Sequence, residues 1–398
     1  MTTGLARCVG DVGRFLDQHW SAAPLHREAS GAAGFSDLFS LEDVDHIVSS
    51  TFARLPAFRL VREGKPLDPA AYTKSARLGG RPISDVGDPG RVYEEFRAGA
   101  TIVLQGLHRS WLPLTRFCRS LELELTHPVQ ANAYVTPPGS QGLAVHHDTH
   151  DVFVLQVAGR KEWSVYQPLV DHPLASQRWS NDLGSPGDPM LSVELHPGDS
   201  LYIPRGFPHS ARSRQDISAH LTIGVLASTW EDAMRQVVAG IVDEPEFRRS
   251  LPPGFAHDET HLASGVAAHV AKLHAWLDQV DAAAVARTLS RRFWSTRPPI
   301  LAGHLRQLAV LDQLDDRSSV RRRDGSICHL SAVEDGLEVL LGDRRLQMPA
   351  ALKPVMERIA EGGVFRVVEL ADQLDQPSRL VLVRRLVREG LLEVVSTA

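Results

Sequence analysis

Apolar residues recur along this chain in different rhythms, and each rhythm predicts a different element. Near the start, Phe15-Leu-Asp-Gln-His-Trp20 and Leu41-Glu-Asp-Val-Asp-His-Ile-Val48 read as short amphipathic helices. Ser40, with Asp43 three residues on, reads as the cap of the second. Residues 79–90, rich in Gly, Pro and Asp, read as loop. From Gly99 to Trp230 the pattern shortens to β-favouring runs bounded by turn signals: 101–105, 129–135, 152–157, 163–166, 200–203 and 219–225. Strands at this spacing predict a mainly β core, a double-stranded β-helix or jelly roll. Beyond Trp230 the rhythm turns helical to about residue 314, broken at Leu251-Pro-Pro-Gly254 and Arg297-Pro-Pro299. There Val266, Val270, Leu273, Trp276, Leu277, Val280, Val285 and Leu289 form the kind of stripe a helix buries. The last part reads as helices over 352–359, 367–374 and 378–388 and a strand over 390–395, the order of a winged helix. The expected segments are 1–95 (mixed), 96–230 (jelly-roll core), 231–325 (helical) and 326–398 (winged-helix-like).

Composition narrows the functional classes. With 398 residues, 43% hydrophobic and 23% charged, the chain suits two or three soluble domains. A formal charge of −5 gives no global attraction to nucleic acid or an anionic membrane. Arg379, Arg384, Arg385 and Arg388 on the third C-terminal helix are the best case for phosphate contact. Yet residues 331–398 hold 9 Lys/Arg against 11 Asp/Glu, a net of −2, so DNA binding is not expected. No apolar run approaches the roughly 20 residues that span a bilayer, and the first residues lack the features of a signal peptide. Cys8, Cys118 and Cys328 are odd in number and scattered, which argues against a disulfide framework and for a reduced cytoplasm.

The candidate chemistry is concentrated in Gly142-Leu-Ala-Val-His-His-Asp-Thr-His-Asp-Val-Phe-Val-Leu-Gln156. On a strand, residues i and i+2 share a face, so His146 and Asp148 can address one ion while His147 faces elsewhere. His150 falls in the bend that follows, and Asp151 opens an apolar strand. His209, after Ser200-Leu-Tyr-Ile203 and a Pro/Gly turn, supplies a third ligand. Two histidines and a carboxylate make the triad that leaves open positions on non-haem Fe(II) in oxygenases. Structural zinc is the alternative, but it usually takes four N/S ligands and the cysteines lie far off in sequence. Asn132 and Tyr134 share a strand face, either in a pocket or as a polar pair satisfying backbone. Lys161 is either an exposed turn lysine or an anion clamp. The chain favours arginine so heavily (Lys65, Lys74, Lys161, Lys272 and Lys353 are its five lysines) that the clamp is preferred.

Three stretches, Asn132–Asp148, Asp151–Trp163 and Tyr202–His209, closely resemble the JmjC/cupin-type ribosomal oxygenases, which are Fe(II)- and 2-oxoglutarate-dependent protein hydroxylases. The likeness extends to Phe15…Trp20…Pro24-Leu25, Arg62–Leu67 and Arg297–Pro299. It implies His146, Asp148 and His209 as iron ligands, and Lys161 on the distal carboxylate of 2-oxoglutarate. Asn132 and Tyr134 would line that pocket, and His220 would stand near the co-substrate. It also implies Fe(II), 2-oxoglutarate and O2 as cofactor and co-substrates, and a histidine or arginine side chain of a protein or peptide as target. Members pair through a helical region, so a homodimer is expected. His147 stands where relatives often carry tyrosine. A small-molecule or natural-product hydroxylase is the alternative function, since the same triad serves such enzymes.

Overall fold

The computed structural model describes residues 3–29, 34–51 and 53–397. The chain divides into two compact units, Met1–Ala227 and Ser228–Ala398. In the first unit, α1 (Gly4–Val9) and α2 (Val12–Gln18) precede β1 (Leu25–Arg27) and α3 (Leu41–Ser50). Then come β2 (Phe58–Arg62), β3 (Lys65–Pro66), β4 (Thr73–Leu78), β5 (Arg81–Gly87), α4 (Pro89–Arg97), β6 (Thr101–Leu104), α5 (Leu107–Ser110) and α6 (Leu112–Leu125). The remaining strands are β7 (Val129–Thr136), β8 (Asp151–Ala158), β9 (Lys161–Val165), β10 (Leu191–Leu195), β11 (Ser200–Ile203), β12 (His209–Ser213) and β13 (Ser218–Val225).

The large sheet runs β1-β11-β8-β13-β7-β6-β2-β3, and the small one β10-β9-β12, with antiparallel neighbours in both. Strand periodicity explains why β8 is buried along nearly its whole length. Val152 and Val154 point inward, packing with Leu201 and Ile203 against Trp163, Val165 and Leu195 of the small sheet. Phe153 and Leu155 point outward into a second core with Leu5, Phe15, Leu114 and Leu121 of the covering helices. Each such buried side chain contributes about 1.5–3 kcal/mol of transfer free energy. Phe15 meets Tyr202 edge-on, with centroids 4.8 Å apart. The expected jelly roll is the fold found. The same alternation turns polar residues of β7 and β13 inward, and register aligns Asn132 with Thr222 and Tyr134 with His220.

Several local readings of the sequence need correction. Residues 79–90 are not a loop: Gly79 and Gly80, both at positive φ, turn a hairpin between β4 and β5. His146 does not lie in a regular strand but forms an isolated bridge with His209. Ser40 caps α3 as expected, with both halves of the capping box formed.

In the second unit, α7 (Trp230–Ala239), α8 (Glu259–Leu277) and α9 (Ala282–Ser295) carry the helical region. The apolar stripe of 266–289 is split between α8 and α9 by Asp281, which caps α9 through its side chain. Neither helix contains a buried residue. Strands at Ser319–Arg322, Val364–Arg366 and Leu392–Ser396 form one small sheet, and His329–Val333, Gly336–Leu340 and Arg345–Met348 another. Helices at Lys353–Glu361 and Gln376–Arg388 match expectation, but the one expected at 367–374 is a single 3-10 turn over Val367–Leu370. Asp375 then caps the next helix through Ser378 N–H. Arg379 is buried in a two-pronged pair with Asp316 (Nε–Oδ1 2.7 Å), and Arg384 donates to Leu311 and Leu314 carbonyls.

Gly159, at φ +59° between β8 and β9, delivers Lys161 to its place. A Cβ there would sit 2.1 Å from the Ile217 carbonyl oxygen. Gly159→Ala therefore combines left-handed strain with overpacking and should destabilise the fold by roughly 2–5 kcal/mol. Thermal or urea unfolding followed by circular dichroism reads this, and an unchanged midpoint contradicts it.

Candidate metal centre and the pocket behind it

His146 and His209 exchange both backbone hydrogen bonds, His146 N–H to His209 O at 3.2 Å and His209 N–H to His146 O at 2.8 Å. Gly206 N–H donates to the Asp148 carbonyl at 3.0 Å. These bonds join two motifs about sixty residues apart. The donor atoms of His146, Asp148 and His209 all lie within 4.8 Å of one another. Nδ1 of His146 is 2.8 Å from Ala144 O and Nδ1 of His209 is 3.0 Å from Phe207 O. A ring nitrogen facing a carbonyl carries the hydrogen, so both Nε2 lone pairs are free to bind an ion, the tautomer that outer hydrogen bonds impose on metal-binding histidines. Burial pushes the His209 pKa down, which keeps that ring neutral at neutral pH. At Asp148 burial works toward the neutral acid, but the surrounding His209, His150, His146 and His147 outweigh it and hold the carboxyl below its usual range. Two imidazoles and one carboxylate on one side suit a divalent ion with further positions open, and lack the four closed N/S ligands of structural zinc.

His146, Asp148 and His209 share a pocket with Lys161, Thr101 and Tyr134, which are among its walls. Lys161 is 2% exposed, and its Nζ donates to Thr136 Oγ1 at 2.9 Å. Thr136 Oγ1 in turn lies 3.0 Å from Thr101 Oγ1. Among the described residues no carboxylate pairs with this amine, and burial pushes its pKa down to about 7. His220 stacks flat on Tyr134 (5.1 Å, 3°) and stands edge-on to Trp163 (5.3 Å, 84°). Burial, and then the Lys161 charge, drive the His220 pKa well down. Among the described residues His220 Nδ1 and Trp163 Nε1 are buried without a hydrogen-bond partner. Buried polar atoms are nearly always paired in a protein, so a pocket lined by two unpaired ones fits a polar ligand.

Tyr134, Lys161 and His220 thus meet the His146/Asp148/His209 cluster in one pocket. Asn132 is not among the residues lining it; its Oδ1 accepts the Gly106 N–H at 2.9 Å. Asp151 is turned away and accepts from Tyr202 OH (2.9 Å) and Arg205 N–H (3.2 Å). His150 packs over Gly224, where a Cβ would come within 2.6 Å of its ring. Sequence reading missed Thr136 and Trp163, although each lies two residues along a strand from a residue it singled out. It also missed Thr101, on a remote strand with no local signal.

A JmjC domain model matches residues 108–233. Ribosomal oxygenase 1 of Gallus gallus is 30% identical over 315 residues, covering 74% of this chain and 51% of that protein. The bifunctional lysine-specific demethylase and histidyl-hydroxylase NO66 of Drosophila persimilis is 31% identical over 247 residues, covering 60% of this chain and 34% of its own length. The chain therefore spans about half or less of these relatives. Among solved structures, E. coli YcfD superposes with a TM-score of 0.58 at 18% identity, covering 97% of this chain and 99% of that one. A YcfD complex with cobalt and 2-oxoglutarate gives 0.55 at 17%, covering 96% and 98%. At these identities the superpositions establish the fold. The chain thus carries a JmjC domain over the jelly roll, and its likeness to ribosomal oxygenases reaches beyond that domain.

Proposed function

We propose that this chain is an Fe(II)- and 2-oxoglutarate-dependent oxygenase that hydroxylates a histidine- or arginine-type side chain of a protein or peptide. The observation that carries this reading is the pairing of two freed imidazole nitrogens and a carboxylate with an uncompensated buried lysine in one pocket. The relatives named ribosomal oxygenase and histidyl-hydroxylase support the choice of a protein substrate. Bound Fe(II), with 2-oxoglutarate and O2, supplies the oxidising chemistry: the keto acid becomes succinate and CO2, taking one oxygen atom, and the other enters a substrate C–H bond.

The side chains divide the remaining work. His146, Asp148 and His209 hold one face of the ion, and their carbonyl-anchored rings need no reorientation to do so. Lys161 offers its ammonium to the distal carboxylate of 2-oxoglutarate, with the Thr136 and Thr101 hydroxyls beside it. Tyr134 and His220 form a flat wall, and Asn132 steadies that wall through the Gly106 turn. Val152, Val154 and Leu143 keep the pocket apolar on its other sides, limiting water where a strong oxidant forms.

The second unit enters the proposal as scaffold and docking part. Val266, Val270 and Leu277 are 38–52% exposed on α8, which suits the helical region, 231–325, to pairing two copies. The winged-helix-like segment after it serves packing or substrate docking. Of the four arginines on its Gln376–Arg388 helix, two are consumed internally and Arg385 pairs with Glu389, which leaves little for duplex DNA. Three unpaired cysteines accord with the cytoplasm, and no described helix is long and apolar enough to cross a membrane.

Asp148→Ala and His209→Ala should each reduce succinate formation to background. Each should also weaken Co(II) binding by more than the roughly 10- to 100-fold lost when only a ligand's hydrogen-bond partner is removed. Turnover that survives both changes, or that requires zinc, overturns the assignment. Lys161→Ala should weaken 2-oxoglutarate roughly 10- to 150-fold, the value of a charge-assisted hydrogen bond, with Co(II) affinity little changed; calorimetry showing an unchanged dissociation constant places the anion clamp elsewhere. Sedimentation of the purified chain should give twice the 43.7 kDa chain mass. A single species at the chain mass excludes the pairing.

A further inference from the structure

His147, between the first two candidate ligands, does not line the pocket. The residue is 3% exposed, with its ring Nε2 3.1 Å from the Gln177 carbonyl oxygen and the ring plane edge-on to Trp179 (5.4 Å, 87°). The nitrogen facing the carbonyl must carry the hydrogen, so Nε2–H donates. Gln177 and Trp179 belong to the connection between β9 and β10, residues 166–190, whose regular structure is one 3-10 turn, Asn181–Leu183. Connections of this length with so little structure are uncommon in compact domains unless they serve a function.

The connection is built onto the metal-binding motifs. Tyr166 N–H donates to Pro208 O at 2.8 Å, beside His209, and Met190 N–H donates to Val165 O at 2.9 Å. Its middle is turned by Gln177 N–H to Leu174 O (2.8 Å) and Leu174 N–H to Gln177 Oε1 (2.9 Å). Val170 and Pro173 press on Gly206 so closely that a Cβ there would lie 2.6 Å from Val170 O and 2.7 Å from Pro173 Cδ. That same Gly206 donates its N–H to the Asp148 carbonyl. The segment therefore rests on His147 between two ligands and on Gly206 just before the third. Its outer side is open, with Leu183 and Met190 at 36% and 43% exposure. Packing alone would be served by an apolar residue at 147, whereas this imidazole brings a polar ring into the interior to make one hydrogen bond to a loop carbonyl.

Building on the oxygenase reading, we propose that residues 166–190 form the lip that receives the substrate polypeptide and that His147 is the positioning residue that holds this lip against the metal centre. His147 touches neither co-substrate nor reacting atoms; it acts through Gln177 and Trp179. Losing its hydrogen bond loosens the lip and uncouples turnover: one atom of O2 still enters succinate, while the other leaves as water with two protons and two electrons from ascorbate supplied in the assay, in place of entering a substrate C–H bond.

The test compares His147→Phe, which keeps a ring and loses the donor, with His147→Gln, which keeps a donor, and with Trp179→Ala, which removes the contact from the other side. Hydrogen exchange on the Co(II)-loaded protein reads the lip directly. The Fe(II) enzyme with acid-extracted ribosomal protein as probe gives the ratio of added oxygen, by mass spectrometry, to succinate. In His147→Phe and Trp179→Ala, exchange over residues 174–183 should rise and the ratio should fall, each roughly three- to tenfold, the value of one net hydrogen bond. Co(II) affinity should hold, and His147→Gln should restore most of the ratio. Unchanged exchange removes the latch. Faster exchange with an unchanged ratio removes the lip's role in substrate capture, as does a wild-type enzyme that forms succinate but oxidises no ribosomal protein. Lost Co(II) affinity in His147→Phe shows that His147 acts on the ligands instead. Wild-type protein that forms no succinate fails at the underlying oxygenase reading, while its exchange data still judge the latch.

Discussion

A lysine ammonium enclosed by a barrel with no carboxylate to balance it is the constraint around which the first unit is arranged. Lys161 has one hydroxyl partner and sits where desolvation alone pushes its pKa down to about 7. Such a group is costly to keep in a fold, because burial disfavours its charged form. A structural lysine would snorkel its charge to water or find an acid. One that does neither stands ready for an anion brought from outside, and an anion between Lys161 and the His146/Asp148/His209 cluster satisfies both ends of the pocket. The unpaired His220 and Trp163 nitrogens along the way fit the same expectation of a polar guest.

The metal end is organised by backbone more than by side chains. A two-way bridge between His146 and His209, and the Gly206-to-Asp148 bond, fasten two distant motifs to each other. The rings are then oriented by carbonyls two residues away. Asp151 lies close in sequence to the ligands yet turns outward, where its carboxylate ties Tyr202 and the Arg205 turn together ahead of His209. In this way the hydrogen bonds behind the site set the geometry in front of it, which is what a preorganised centre requires.

Much of this was legible in the residues. The two-residue spacing of His146 and Asp148, and the scarcity of lysine around Lys161, picked out groups that the fold brings together. The β-favouring run of β8 gave a strand but hid that both its faces are buried, because such a run says nothing of what covers each side. The β4–β5 hairpin was concealed by its own turn chemistry: residues 79–90 hold the Gly, Pro and Asp of a loop, and strand pairing overrode composition. The expected helix at 367–374 has apolar spacing but ends after one turn, where Asp375 begins the next helix. Thr101 could not be found at all, since its contact with Thr136 arises from the β6–β7 pairing and not from any local pattern. The stripe on α8 read as a buried face and is exposed within the described chain, because periodicity shows that a face is apolar and not what covers it.

The most direct test of the account is the proton balance of 2-oxoglutarate binding, measured anaerobically by calorimetry on Mn(II)-loaded protein at pH 8 in buffers of different ionisation enthalpy. At that pH an amine depressed to about 7 is mostly neutral before the ligand arrives. Pairing with the carboxylate raises its pKa, so binding should take up about one proton, and affinity should fall as pH rises above 7. Binding of 2-oxoglutarate with no proton uptake would contradict the claim that an uncompensated Lys161 receives it.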